Sequence, residues 1–251
     1  MGSDNAPILM WFRRDLRLGD HPALVAACDS GRPVIPVFIH DEVVESHGAA
    51  PKWRLGLGVA KLAQALEEKG SRLILRRGRA LDVLRALVKE TGADAVYWSR
   101  LYDPAAKERD TGVKSALKED GIDAQSFTGH LLFEPWTVET KTGGYYKVYT
   151  PMWRMVKDRD VPSDLPAPGR IPAPDTWPAS DALEAWPMGA AMHRGAALVL
   201  PHTTVGEAAA SSRLGTFIAH WVPHYNTNRD IPAIQCTTAL SQNTPYGGTR
   251  P

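Results

Sequence analysis

Met10-Trp11-Phe12-Arg13-Arg14-Asp15-Leu16-Arg17-Leu18-Gly19-Asp20-His21-Pro22-Ala23-Leu24 is the stretch whose reading decides the fold. It starts inside an apolar run, Ile8–Arg13, of strand length, and ends as a helical pattern begins. Asp20 is the expected N-cap of that helix, and Pro22 falls in its first turn, where a missing N–H costs nothing. A basic cluster therefore sits at the carboxyl end of a strand, where open parallel sheets place their ligands. Such a site suits an anionic or aromatic molecule. Taken singly, Arg13, Arg14 and Arg17 also fit a simpler role, pairing with Asp15 and Asp20 to hold the turn.

Outward from this stretch, strands are predicted at Val34–His40, Arg72–Arg76, Ala95–Trp98 and Asp123–Phe127. Between them lie helical patterns. One carries Leu55, Val59, Leu62 and Leu66 on a single face and ends at Gly70; another carries Leu81, Leu84, Leu87 and Val88 and closes near Gly92. Strands alternating with helices predict the α/β class, with a doubly wound, mostly parallel five-stranded sheet joined by right-handed crossovers. After Thr128 the texture changes. Pro166, Pro168, Pro172, Pro174 and Pro178 crowd the stretch from Pro162 to Pro187, which reads as a connector because proline resists helix interiors. A helical pattern resumes over Val205–Val222, with Leu214, Phe217, Ile218 and Trp221 as its apolar positions. The expected organisation is residues 1–130 as an α/β domain, 131–200 as connector and 201–251 as the start of a helical domain. Without a partner, the apolar face of that last helix favours self-association.

Of the 251 residues, 43% are hydrophobic and 23% charged, a globular balance that excludes a disordered or collagen-like chain. The net charge of +1 provides no long-range field for nucleic acid. Cys28 and Cys236 stand far apart, so neither a disulfide framework nor a thiolate metal site is signalled, and a reducing cytoplasm fits best. The opening Met1–Asn5 has no basic leader pattern, and no apolar run approaches membrane-spanning length. No His-Glu-x-x-His pair and no Gly-x-Ser-x-Gly elbow is present, which sets aside metal and hydrolase chemistry. A free-standing nucleotide-binding α/β module shares this topology, but Gly56 and Gly58 lie in a helical pattern and not in a phosphate-binding turn.

The Met10–Leu24 run resembles the opening of the DNA photolyase and cryptochrome family, and the resemblance continues through Pro51–Leu55, Tyr97–Pro104 with Arg109 and Asp110, and Tyr146–Pro151. It implies a first domain that holds an antenna chromophore, a folate, deazaflavin or flavin, and passes excitation to a catalytic FAD. Arg13 and Asp103 are the residues it implies for the antenna, although an aspartate before a helix also serves as a cap. Ser99 stands where folate-binding members carry asparagine, and a hydroxyl cannot replace an amide's donor and acceptor pair, which counts against folate.

Tyr225–Pro232 and Cys236–Ser241 resemble the start of the family's FAD site. The resemblance implies that Tyr225, Thr237, Thr238, Leu240 and Ser241 contact FAD phosphates, where hydroxyls and free amides at a helix start suit an anion. An ordinary hydroxyl-rich turn is the alternative. Cys236 replaces the family's usual glycine and Thr238 a serine. Beyond Ser241 the resemblance fades, which implies a chain that stops before the FAD domain is complete. The implied function is that of a DNA photolyase fragment: light-driven repair of pyrimidine dimers in the intact relative, with damaged DNA as partner. This chain alone is expected to be inactive, to lack the DNA groove and to hold FAD weakly or not at all. A cryptochrome-like blue-light photoreceptor fragment is the alternative.

Overall fold

The computed structural model describes residues 5–249. Ile8, Leu9, Met10, Trp11 and Phe12 are all buried, although successive side chains of a strand point to opposite faces. Both faces must then be covered, which is the condition for a parallel sheet. Strands β1 (Ile8–Phe12), β2 (Val34–His40), β3 (Ile74–Arg77), β4 (Ala95–Ser99) and β5 (Asp123–Phe127) form one sheet in the order β3-β2-β1-β4-β5, with every neighbouring pair parallel.

The alternate residues of β1 divide between two cores. Ile8, Met10 and Phe12 pack with helices α1 (Pro22–Asp29), α2 (Glu42–Glu45) and α3 (Ala49–Glu68), through Leu24, Val44 and the stripe Leu55, Val59, Leu62 and Leu66. Leu9 and Trp11 pack with α4 (Ala80–Thr91) and α5 (Pro104–Glu119), through Leu84, Leu87, Val113 and Leu117. Full burial of one such leucine is worth about 1.5–3 kcal/mol, so these two stripes supply much of the drive that closes the sandwich. Gly70 and Gly92 end α3 and α4 with φ near +70°, a conformation that costs glycine nothing.

Two expectations change at the edges of these elements. β3 begins at Ile74 and not at Arg72, because its ladder to β2 starts with the Val37 and Ile74 pair. The cap of α1 is His21 and not Asp20. The Nδ1 of His21 accepts the Leu24 N–H at 3.2 Å, so its Nε2 carries the proton and donates to Asp15 at 2.9 Å. Asp20 instead turns into the left-handed region at φ +46°, and its N–H donates to the Leu165 carbonyl at 2.7 Å.

That contact belongs to the proline-rich connector, which wraps the sheet as an extended strap. Val34 N–H donates to Pro172, Leu75 N–H to the Ser180 hydroxyl and Asp181 N–H back to Leu75, so the strap covers the free edge of β3. Ile171, Trp186 and Met188 anchor it in the core. The remaining helices are short: α6 (Tyr149–Val156) ahead of the strap, then α7 (Arg194–Val199), α8 (Glu207–Thr216) and α9 (Tyr225–Asn228). The helix expected over Val205–Val222 is α8 continued by a π-helical turn, Phe217–Trp221. On α8 only Ala210 is buried. No helix among the described residues is long and apolar enough to cross a membrane.

Candidate functional site

The chain order reverses between β1 and β4, and the carboxyl ends of these two strands open the crevice in which such sheets bind ligands. Arg13 follows β1 directly. Its guanidinium, only 4% exposed, donates to the Ser99 carbonyl at the end of β4 and, at 3.0 Å, to Asp110 on α5. Arg109 donates to the other Asp110 oxygen at 2.7 Å and to Asp41, at the end of β2, at 2.5 Å. Both guanidinium groups lie over the ring of Trp11, at 4.5 and 4.8 Å from its centroid, where the π face favours a cation. Burial draws the Arg13 pKa downward against the pull of Asp110. Removing one member of such a buried lattice strands a charge, which costs about 3–5 kcal/mol.

Arg14 pairs with Asp103, whose other oxygen accepts the Ala106 N–H at 3.0 Å and caps α5. Burial opposes ionisation of Asp103, but the Ala106 amide and Arg14 hold its carboxyl below the ordinary range. Arg13 and Arg14 thus turn to Asp110 and Asp103 across the crevice, not to Asp15 and Asp20 within the turn. Arg17 donates to the carbonyls of Gly19, Asp20, Gly129 and Gly247. Asp15 is fully buried and accepts the Arg13 N–H at 2.8 Å as well as His21. Burial works against its charge, yet the hydrogen bond from His21, with the positive charge of Arg13 close by, holds it well below the usual carboxylate range.

The same region holds Trp11 Nε1, Arg13 Nε, Ser99 Oγ and His130 Nε2, each buried without a hydrogen-bond partner. Buried polar groups are ordinarily paired, so this concentration marks the switch point as built for more than packing. Beside it, against β4, β5 and α5, lies a cavity of about 380 Å³ lined by Trp98, Arg100, Tyr102, Lys107, Lys114 and Trp136. Arg100 rides over the Trp136 ring at 5.5 Å, and Lys114 reaches the Ser126 hydroxyl at 3.1 Å. Burial and the Glu134 carboxylate, 2.7 Å away, push the Tyr102 phenol up to about 12. Two lysines seven residues apart on α5 put charge on one helix face; that spacing was the available signal for a cavity that sequence reasoning missed.

Among the late candidates, Tyr225, Thr237 and Thr238 line one open pocket of about 500 Å³ with Phe217, Val222 and Asn226. Phe217 meets Tyr225 edge-on at 5.7 Å and sets its ring. Leu240 and Ser241 lie outside that lining, in a three-residue 3-10 turn entered through Ala239 at φ +50°. The turn stands where a helix start was expected, and the Leu240 N–H donates to the Thr238 hydroxyl at 3.3 Å.

Residues past Ser241 pack on the first turn. Leu16 N–H donates to the Tyr246 carbonyl at 3.1 Å, and Arg54 donates to the Gln242 carbonyl and lies over the Tyr246 ring. Glu207 fastens α8 to the same turn by accepting the Leu18 and Gly19 amides at 2.9 and 3.0 Å, a role that no local pattern signalled.

Residues 8–170 match the family model described as DNA photolyase. The deoxyribodipyrimidine photo-lyase of Agrobacterium fabrum is 40% identical over 263 residues, an alignment covering 100% of this chain and 53% of the relative. Cryptochrome-2 of Arabidopsis thaliana is 37% identical over 159 residues, covering 62% of this chain and 26% of the relative. Among solved structures, a bacterial class III photolyase from Agrobacterium tumefaciens superposes with a TM-score of 0.92 at 40% identity, over 98% of this chain and 51% of that one. The chain spans about half the length of the photolyase relatives it matches.

Proposed function

The chain belongs to the DNA photolyase family, and on that premise we propose that it forms the sheet-bearing part of a flavoprotein that repairs pyrimidine dimers in DNA under light. The observation that carries the reading is the convergence of Tyr225, Thr237 and Thr238, three hydroxyl-bearing residues, on the lining of one open pocket. The chemistry that FAD supplies when bound is light-driven electron transfer to a dimer flipped from the duplex, with the electron returned after splitting. In this reading Tyr225, Thr237 and Thr238 hold the phosphates, and Leu240 and Ser241 complete the contacting segment. Residues 1–130 are the antenna domain, 131–200 the connector and 201–251 the start of the FAD-binding domain. Damaged DNA is the substrate of the complete protein, and the cytoplasm is its compartment.

For the antenna pigment the switch point is the proposed seat. Its fit rests on the unpartnered Trp11, Arg13, Ser99 and His130 atoms and on the adjoining cavity, whose lysines and Trp136 suit a flat anionic ring system. In this reading Arg13 and Asp103 are the antenna contacts. With a hydroxyl in place of an amide at Ser99, a deazaflavin or flavin is favoured over a folate. The free-standing module gives way to the family membership. A photoreceptor role is the second reading, favoured by the 37% identity to a plant cryptochrome.

A chimera carrying residues 1–241 in place of the matching part of the Agrobacterium relative tests the reading. It is expected to bind FAD and to restore thymine dimers to thymine under blue light. A chimera that folds and binds FAD but leaves dimers intact refutes repair and selects the photoreceptor.

A further inference from the structure

The buried guanidinium groups of Arg13 and Arg109 share the Asp110 carboxylate, and Arg17 is met by four carbonyls. Arg54 on α3 is treated differently. It is 8% exposed, donates to the Gln242 carbonyl at 3.1 Å and leaves its Nε buried without a partner. Burial lowers its pKa, Tyr246 opposes the fall and Arg213 adds to it, so no carboxylate stands among the charges that act on this guanidinium. A buried cation without a counter-charge is costly, and an unpaired N–H adds to the cost.

Asn243, 1% exposed, is the second unsatisfied group. Its Oδ1 accepts from Arg213 at 2.7 Å, which fixes the amide and leaves Nδ2 without a partner. Arg54 and Asn243 line one small cavity of about 10 Å³ together with Gly58, Tyr246 and Gly248. That space takes one occupant of about the size of a water molecule, and phosphate or sulfate is too large for it. Bare backbone keeps it open: a Cβ at Gly58 would stand 3.8 Å from Arg54 Nη1 and only 2.7 Å from Leu16 Cδ1. The unpartnered side-chain atoms on the lining, Arg54 Nε and Asn243 Nδ2, are both N–H donors. A water molecule there would accept two hydrogens and still have two of its own to place. A monatomic anion accepts both and neutralises Arg54 as well.

We propose that Arg54 and Asn243 bind one halide-sized anion, chloride in ordinary solution, which fastens residues 242–248 to α3 and to the first turn. The Asn243 carbonyl accepts the Tyr246 and Gly248 N–H groups at 3.2 and 3.1 Å, so an ion held at Asn243 acts on the whole segment. Tyr246 passes the effect on in two directions. Its hydroxyl donates to the Pro51 carbonyl in the first turn of α3 at 3.1 Å, and its own carbonyl holds the Leu16 N–H beside Arg13 and Arg14. The anion thus steadies the turn that supplies the switch point, whatever ligand that switch point takes.

Two measurements on the full chain test this. Crystals grown in sodium bromide are expected to show an anomalous peak in contact with both Arg54 Nε and Asn243 Nδ2. Hydrogen exchange at Leu16 is expected to slow at least ten-fold when sodium gluconate is replaced by sodium chloride at equal ionic strength, with sodium sulfate acting like gluconate. Asn243→Asp puts a carboxylate of the same shape beside Arg54 and Arg213, and is expected to give the slow exchange in all three salts. Equal exchange in chloride and gluconate overturns the proposal, as does sulfate matching chloride, which marks general screening. Density without an anomalous signal overturns it in favour of an internal water. A bromide peak with no change in exchange marks an adventitious ion only and likewise overturns the fastening role.

Discussion

Acidification between pH 6.5 and 4 is expected to weaken this protein chiefly through one side chain, His130, with His40 and His47, whose pKa values burial also lowers, acting in the same direction. His130 follows β5 behind the first turn, with its Nε2 buried and unpartnered. Burial pushes the imidazole down to about 4; Asp15 pulls the other way, while Arg13, Arg17 and Arg14 add to the depression. In the unfolded chain the ring takes up its proton near pH 6.5. Above that value neither state is protonated there, and the folded state carries no penalty. Between 6.5 and 4 the unfolded state binds the extra proton, so stability falls by up to about 1.4 kcal/mol per pH unit. The total loss reaches roughly 2–3 kcal/mol by pH 4, a large fraction of a typical 5–15 kcal/mol. Below pH 4 this group adds nothing further. Asp15 acts in the same direction but lower, since its stabilisation is complete above the ordinary carboxylate value and is lost as the pH falls through its depressed one. The assay is urea unfolding followed by tryptophan fluorescence in half-unit pH steps, on the wild type and on His130→Asn, which keeps a polar group without the titration. The difference between the two curves should change by roughly 2–3 kcal/mol across the window. Curves that stay parallel from pH 7 to 4 refute the reasoning.

Asp15→Ala removes the acceptor of both the His21 ring and the Arg13 amide, and is expected to cost about 3–5 kcal/mol in chemical denaturation; a loss under about 1 kcal/mol would show that His21 finds another partner. Gly247→Ala places a methyl group 2.4 Å from the Arg14 carbonyl oxygen at a φ of +66°. Hydrogen exchange at Leu16 should then quicken at least ten-fold as the Tyr246 carbonyl withdraws, and unchanged protection would mean that the tail tolerates the shift. Lys114→Glu reverses one of the cavity's charges, so the polarisation of added flavin mononucleotide should drop toward its free value, whereas binding that survives places the pigment elsewhere. Tyr225→Ala in the chimera described above should weaken FAD retention at least ten-fold in gel filtration, and full retention would remove the phosphate role assigned to that ring.

Much of the frame was legible because it obeys local rules. Strands buried on both sides need unbroken apolar runs, and Ile8–Phe12 and Val34–His40 are such runs. A helix covering one face needs a stripe, and Leu55, Val59, Leu62 and Leu66 make one. Of the late candidates, Tyr225, Thr237 and Thr238 come together on one pocket, and Leu240 and Ser241 lie outside its lining. The chain enters their turn through Ala239 at φ +50°, a conformation that a hydroxyl-rich composition does not announce. The cap of α1 was misread: Asp20 has the better capping propensity, but Asp15 fixes the tautomer of His21 and makes that ring the acceptor.

By itself the sequence determined the alternation of strands and helices, the parallel sheet and the family, because each follows from periodicity or from short contiguous motifs. Only the tertiary structure decided whom the first-turn arginines serve. Arg13 meets Asp110 and Ser99, and Arg14 meets Asp103, across separations of 86 to 97 residues. Those partners become neighbours because β4 lies beside β1 and α5 leads away from its end. Charge attraction acts through space while sequence records only order, so the pairing existed once the strands had taken their places.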